Sequence, residues 1–191
     1  MKTKLRAGIF GGSFDPIHNG HLIIAETIRE MAGLDKVIFI PVGEPSHRDN
    51  NLVAGFHRYN MVSIAIENNP YFTVSDVEIA ENIKNYTIDT LKKMIELYPE
   101  YEFCEIIGED SAQSIEKWKD YEELVKITEI YVFKRYGYNY NGGYENIKLM
   151  NTPIIEISAT EIRDRIKQGK TVRYLISQKV EEYITDNKLY K

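Results

Sequence analysis

Short apolar runs alternate along the chain with stretches in which apolar residues recur every three or four positions. Leu5 to Phe10, Lys36 to Val42, Phe72 to Val77, Glu102 to Ile107 and Ile130 to Phe133 are of the first kind. Their length and their β-branched and aromatic content predict buried strands. Leu22, Ala25, Ile28 and Met31 mark one face of a helix, and further helices are predicted from about Phe56 to Glu67 and from about Thr87 to Leu97. Pro70 and Pro99 punctuate the pattern, because the residue before a proline is driven out of the helical region. The closing segments, Ser158 to Gln168 and Ser177 to Asn187, read as helices. Ser158 and Glu161 have the spacing of a capping box there, with Ile157 and Ile162 as the flanking hydrophobic staple.

Strands separated by helices cannot pair through tight turns, so they pair in parallel through right-handed crossovers. The expectation is an α/β fold, a Rossmann-like doubly wound parallel sheet with a small C-terminal helical part from about residue 158. Residues 1–191 read as one domain with a core of useful size. Sheets of this kind bind ligands beyond the carboxyl ends of their strands. The polar stretch from Gly43 to Ala54 is long enough for a functional loop, and Tyr136 to Tyr144, rich in Tyr, Asn and Gly, reads as a surface loop.

A formal net charge of −5 argues against a nucleic-acid binder, which needs a basic excess, but leaves room for a local basic pocket that takes a small nucleotide. Cys104 is the only cysteine, so no disulfide framework or cysteine-rich zinc site can form within the chain. Met1 to Arg6 runs into the first strand without an apolar leader, and no stretch approaches the length of a membrane span. A cytoplasmic protein that does not act at a membrane is expected, and the sequence leaves a homo-oligomer open.

Chemistry concentrates in Gly11-Gly12-Ser13-Phe14-Asp15-Pro16-Ile17-His18-Asn19-Gly20-His21. This stretch falls where a predicted strand gives way to a predicted helix, a junction that aims backbone N–H groups and the positive end of a helix dipole at a bound anion. Two imidazoles three residues apart at such a place point to phosphate chemistry. The plain alternative is a helix entry capped by Asn19 with two solvated histidines.

The segment resembles the signature of the His-x-Gly-His adenylyltransferases, a branch of the nucleotidylyl transferase superfamily. Ile157-Ser158-Ala159-Thr160-Glu161-Ile162-Arg163 is similar to their Ile-Ser-Ser-Thr-x-x-Arg motif, with Ala159 in place of the second serine. Tyr86-Thr87-Ile88-Asp89-Thr90-Leu91, Ile107-Gly108-Glu109-Asp110, Trp118 and the ending from Arg173-Tyr174-Leu175 to Leu189-Tyr190 resemble one family in that branch, the bacterial nicotinate mononucleotide adenylyltransferases. The resemblance covers essentially the whole chain. It implies transfer of AMP from ATP to nicotinate mononucleotide, giving deamido-NAD and pyrophosphate in NAD synthesis, with Mg2+ carried on ATP and no dedicated protein metal site.

The resemblance also implies roles for residues. His18, His21 and Arg163 would be catalytic. Gly11, Gly12, Ser13, Phe14, Gly108, Asp110, Ser158 and Thr160 would hold ATP, with Gly108 and Asp110 at the ribose. Tyr86, Thr87 and Trp118 would take the pyridine nucleotide, the indole stacking on the ring. His47 and Arg48 stand where the family often has His-Lys and are candidate phosphate contacts. Arg58 is expected to brace the nearby loop, and His57 to start a helix. A histidine set against ATP phosphates tends toward its protonated donor form. The rival readings are another small-molecule adenylyltransferase, above all the pantetheine-phosphate enzyme, and a nucleotide-binding regulator without turnover.

Overall fold

A computed structural model describes residues 4–43, 52–80 and 85–191. Six strands, β1 (Leu5–Gly12), β2 (Lys36–Pro41), β3 (Phe72–Val74), β4 (Tyr101–Gly108), β5 (Glu129–Phe133) and β6 (Ile147–Met150), form one sheet in the order β3-β2-β1-β4-β5-β6. Every pairing is parallel. The helices are α1 (Asn19–Ala32), α2 (Gly55–Ile66), α3 (Thr87–Leu97), α4 (Glu109–Ala112), α5 (Tyr121–Ile127), α6 (Ala159–Lys167) and α7 (Gln178–Asp186).

The sheet divides the core in two. One half holds Ile24, Ala25 and Ile28 of α1, Met61 and Val62 of α2, Ile162 of α6, and Val180 and Ile184 of α7. The other holds Ile88, Leu91 and Met94 of α3 with Leu124 and Val125 of α5. Strand residues alternate between them, Phe10, Cys104 and Ile106 facing the first half and Ile9, Phe103 and Ile107 the second. The sheet is therefore covered on both faces, which is why its strands are continuous apolar runs rather than alternating ones.

This arrangement is the expected doubly wound sheet, and it locates a site. The chain leaves β1 toward β2 on one side, and β4 lies on the other, so the strand order reverses between β1 and β4. A crevice opens at such a reversal, beyond the carboxyl ends of the two strands. Gly12 ends β1 and Gly108 ends β4.

Several boundaries differ from the sequence expectation. β3 stops at Val74, whereas the apolar pattern runs to Val77. Ser75 still donates its N–H to Phe39 at 2.9 Å, but the backbone then turns, with Ile79 N–H bonded to the Asp76 carbonyl, and Val77 reaches the core from that turn. β6 and α5 have no counterpart in the pattern. Only Ile147 and Met150 of β6 are buried, a three-residue spacing without the alternation of a half-buried strand, and α5 is seven residues long.

Candidate active site

The loop from Ser13 to His18 is shaped by three side chains that face away from the crevice. Phe14 adopts a left-handed backbone (φ 47°), which is unusual for a bulky residue. Its ring is buried among Phe10, Phe39 and His21, edge-on to the last with centroids 5.1 Å apart. Only the backbone of Phe14 can face a ligand. Asp15 is buried, and its Oδ1 accepts the Tyr190 hydroxyl at 2.7 Å. Arg58 of α2 is buried as well and donates to the carbonyls of Ser13 (2.9 Å), Val42 (2.6 Å) and Val53 (3.0 Å). It ties Ser13 to Val42 and Val53, which flank the polar stretch it is expected to brace, and His57 lies in the first turn of α2 with Nδ1 2.9 Å from the Tyr183 hydroxyl.

The histidines meet at the start of α1. His18 is the N-cap and Asn19 the first helical residue, so the cap is not Asn19. Asn19 instead ties the helix to a distant segment: its side chain donates to the Tyr174 carbonyl (2.8 Å) and its backbone N–H to that of Leu175 (2.8 Å). The two imidazoles stack with centroids 3.6 Å apart and planes 20° from parallel. The glycine between them leaves room for this closeness, since a Cβ at Gly20 would stand 3.0 Å from His18 Nδ1 and press on that ring. His21 Nδ1 accepts the His18 backbone N–H at 3.2 Å, which places the proton of the neutral His21 ring on Nε2. Neither histidine is solvated in the manner of the plain alternative.

Both rings are held neutral in the free protein. Burial, followed by the Arg135 charge, lowers the His18 pKa to about 4. His21 is pushed well below its ordinary value by burial, then by His18 and Arg135. The expectation of protonated imidazoles therefore applies only to a state in which anionic phosphates have arrived to oppose those effects.

Arg163 brings the second motif to the same loop. Its Nη1 donates to the Asp15 carbonyl at 2.7 Å and its Nη2 to the Thr160 hydroxyl at 3.2 Å. Ser158 is the N-cap of α6, its Oγ accepting the Glu161 N–H at 3.1 Å, while Ser158 and Thr160 are themselves exposed. Through Arg163, α6 is thus fastened to the loop that leads into α1.

On the β4 side, a Cβ at Gly108 would fall 2.3 Å from Asp110 Oδ1 and 3.0 Å from Arg135 Nε. Asp110 is not a helix cap, since Gly108 is the N-cap of α4, and it pairs instead with Arg135 at 3.2 Å. Glu109 is buried and accepts the backbone N–H groups of Arg135 (2.8 Å) and Tyr140 (3.3 Å), which fixes the segment after β5. The stretch Tyr136 to Tyr144 is accordingly not all surface: Tyr140 is buried, while Tyr136 is exposed. A Cβ built on Gly11 would meet nothing within 4 Å, so backbone can be approached closely there, and Gly12 lies under the Phe14 ring.

Tyr86, Thr87 and Trp118 form a neighbouring group. Tyr86 is the N-cap of α3 and Thr87 its first residue. Tyr86 and Trp118 both pack, half-buried, against the second core, and Lys119, next to Trp118 in the chain, sets its Nζ 5.1 Å from the Tyr86 ring and 2.8 Å from Asp89 Oδ2. His47 and Arg48 lie outside the described residues. Among the described residues no group of three His, Cys, Asp or Glu side chains could hold a metal ion, and no helix is long and apolar enough to cross a membrane.

The motifs and the apolar pattern assign no contacts to Asp15, Glu109 or Tyr190. Arg135 follows a strand end, which was a usable signal, but the pairing of Asp15 with Tyr190 spans the chain and leaves no local pattern.

Residues 9–165 match the cytidylyltransferase-like family. The chain is 40% identical to a protein of Cytophaga hutchinsonii named "Probable nicotinate-nucleotide adenylyltransferase", over 97% of this chain and 98% of that one. A protein of the same name from Caldicellulosiruptor bescii is 39% identical over 98% of this chain and all of its own length. Among solved structures, the nicotinic acid mononucleotide adenylyltransferase of Plasmodium falciparum complexed with NaAD superposes with a TM-score of 0.82 at 25% identity, covering 97% of each chain.

Proposed function

The chain belongs to the cytidylyltransferase-like family and, within it, to the nicotinate-nucleotide adenylyltransferases, and on that premise we propose that the crevice between β1 and β4 is where it joins ATP to nicotinate mononucleotide. The reaction transfers AMP from ATP to nicotinate mononucleotide in NAD biosynthesis, releasing pyrophosphate. A phosphate oxygen of the mononucleotide attacks the α-phosphorus of ATP, and the bond from that phosphorus to the bridging oxygen of pyrophosphate breaks. The nucleophile is already an anion, so no general base is required. Catalysis consists of alignment and of stabilising charge as it moves onto the leaving pyrophosphate.

The observation that carries this reading is the stacked imidazole pair at the strand-order reversal, with Arg163 attached to the same loop. His21 acts through its Nε2 proton on the α-phosphate, and His18 on the neighbouring phosphates. The first turn of α6, with Ser158 and Thr160, and the Arg163 fork take the terminal phosphates. The backbone from Gly11 to Phe14 lies along the nucleotide, and Gly108 and Asp110 take the adenosine ribose, with Asp110 exchanging part of its pairing with Arg135 for a hydroxyl. Tyr86, Thr87 and Trp118 take the pyridine nucleotide, the start of α3 facing its carboxylate and the indole its ring.

Nucleotidyl transfer of this family works with a divalent metal on ATP. We assign that metal to Mg2+, arriving with ATP as its substrate complex and keeping most of its waters, since the described residues offer no carboxylate cage. A nucleotide-consuming step of this kind fits a cytoplasmic location. The test is pyrophosphate release from ATP with nicotinate mononucleotide and its amide in parallel. Strong preference for the acid is expected, because donors arranged for a carboxylate are left unpaired by an amide nitrogen. Equal kcat/KM for the two would refute the carboxylate pocket, and no release with either would refute the activity.

A further inference from the structure

Asp15 is the one acidic residue of the phosphate loop, and its surroundings are unequal on its two oxygens. Oδ1 accepts the Tyr190 hydroxyl at 2.7 Å. Among the described residues Oδ2, which is buried, has no hydrogen-bond partner, and the nearest cation is Arg163, whose Nη1 stands 3.8 Å away while donating to the Asp15 carbonyl at 2.7 Å. The guanidinium is therefore held by the backbone of the loop and stops just short of a hydrogen bond to the carboxyl. Arg58 stands farther from that oxygen than Arg163, with its Nε, Nη1 and Nη2 donating to the carbonyls of Val53, Ser13 and Val42.

Tyr190 reaches this place from the segment after α7, with its backbone in the left-handed region (φ 61°) and Leu189 buried beside it in the first core. Nothing in α7 itself requires that turn. Burial and the bond to Asp15 raise the tyrosine pKa far above the ordinary range, so the hydroxyl remains a donor. We propose that Tyr190 is a positioning residue for ATP: by occupying Asp15 it limits the hold of that buried carboxyl on Arg163 and leaves the guanidinium for substrate phosphates.

Asp15 and the substrate phosphates compete for Arg163. A buried carboxyl with neither oxygen satisfied draws in the closest available donor, and a charge-assisted bond to Arg163 would be the strongest on offer. Arg163 engaged in that way would present fewer N–H groups to a triphosphate, and the affected quantity would be ATP affinity rather than pyridine-nucleotide affinity. This inference rests on the assignment of Arg163 to ATP phosphates.

The experiment compares Tyr190→Phe, Asp15→Asn/Tyr190→Phe and Arg163→Lys by steady-state kinetics in both substrates and by thermal melting. Tyr190→Phe is expected to raise KM for ATP by about tenfold, the worth of one charge-assisted hydrogen bond, with KM for nicotinate mononucleotide unchanged. The double variant, which removes the competing charge, is expected to bring KM for ATP back toward the wild-type value. Should Tyr190→Phe not fold, the double variant carries the test alone, with near-wild-type KM for ATP expected. An unchanged KM for ATP in Tyr190→Phe, equal rises in both KM values, or a double variant that is unfolded or no better than the single one would overturn the proposal. If Arg163→Lys leaves KM for ATP unchanged, the phosphate assignment of Arg163 fails first. If Arg163→Lys raises it and Tyr190→Phe does not, only the role of Tyr190 fails.

Discussion

Binding of ATP should draw a proton from solution. In the free protein His18 titrates at about 4 and His21 well below its ordinary value, so both rings are neutral at pH 7. A phosphate charge brought to roughly 4 Å from an imidazole is worth about 4 kcal/mol at an effective dielectric constant of about 20. That corresponds to a pKa rise of about three, which carries His18 from about 4 to about 7. With ring centroids 3.6 Å apart, the two imidazoles cannot both be charged cheaply, so one proton is shared by the pair. About half a proton should be taken up per ATP at pH 7, rising toward one at pH 6. Calorimetric titration with ATP in two buffers of different ionisation enthalpy, under excess magnesium so that the nucleotide itself stays deprotonated, measures this number directly. His18→Gln should abolish most of the uptake. Heats that do not depend on the buffer at pH 6.5 would refute the claim that these histidines face the phosphates.

Three further outcomes follow from the same geometry. Ser158→Ala removes the cap of α6 and should cost about 1 kcal/mol in thermal or urea unfolding, whereas Arg163→Lys should leave stability nearly unchanged and lower kcat/KM for ATP, since lysine has no planar fork; full activity of the lysine variant would make Arg163 a surface residue. Trp118→Ala should mainly raise KM for nicotinate mononucleotide, and an unchanged value would remove the stacking role. Stability should fall as pH drops from about 6.5 to 4, because the unfolded chain binds protons at His18 that the folded chain refuses until about pH 4, a loss of about 3 kcal/mol by the end of that window; urea titrations of wild type and His18→Gln should show a shallower slope for the variant, and equal slopes would contradict the depressed pKa.

Legibility in the sequence followed the range of the interactions. β1, β2 and β4 are buried on both faces, so their composition announces them, and the chain order of strands and helices then fixes the parallel sheet and its point of reversal. The two histidines and the Ser158 cap are local features and were readable as such. β6 was not readable, because its two buried residues stand three apart, a helix-like spacing within a strand. The left-handed Phe14 was not readable either: its conformation is offset by burying a ring against Phe39 of β2, distant in the chain, as well as Phe10. Protonation state depends on burial and on Arg135, far away in the chain, so residue type alone suggested charged histidines where the free protein holds neutral ones.

The central claim is that the imidazole at position 21 stabilises the transferring phosphoryl group rather than the fold. His21→Ala, assayed by single-turnover formation of the dinucleotide with saturating ATP and nicotinate mononucleotide, tests it most directly. Loss of about two orders of magnitude in rate, the scale of removing one preorganised donor from transition-state charge, with ATP binding and melting temperature largely retained, is the expected result. A rate close to that of the wild type in a folded, ATP-binding variant would contradict it.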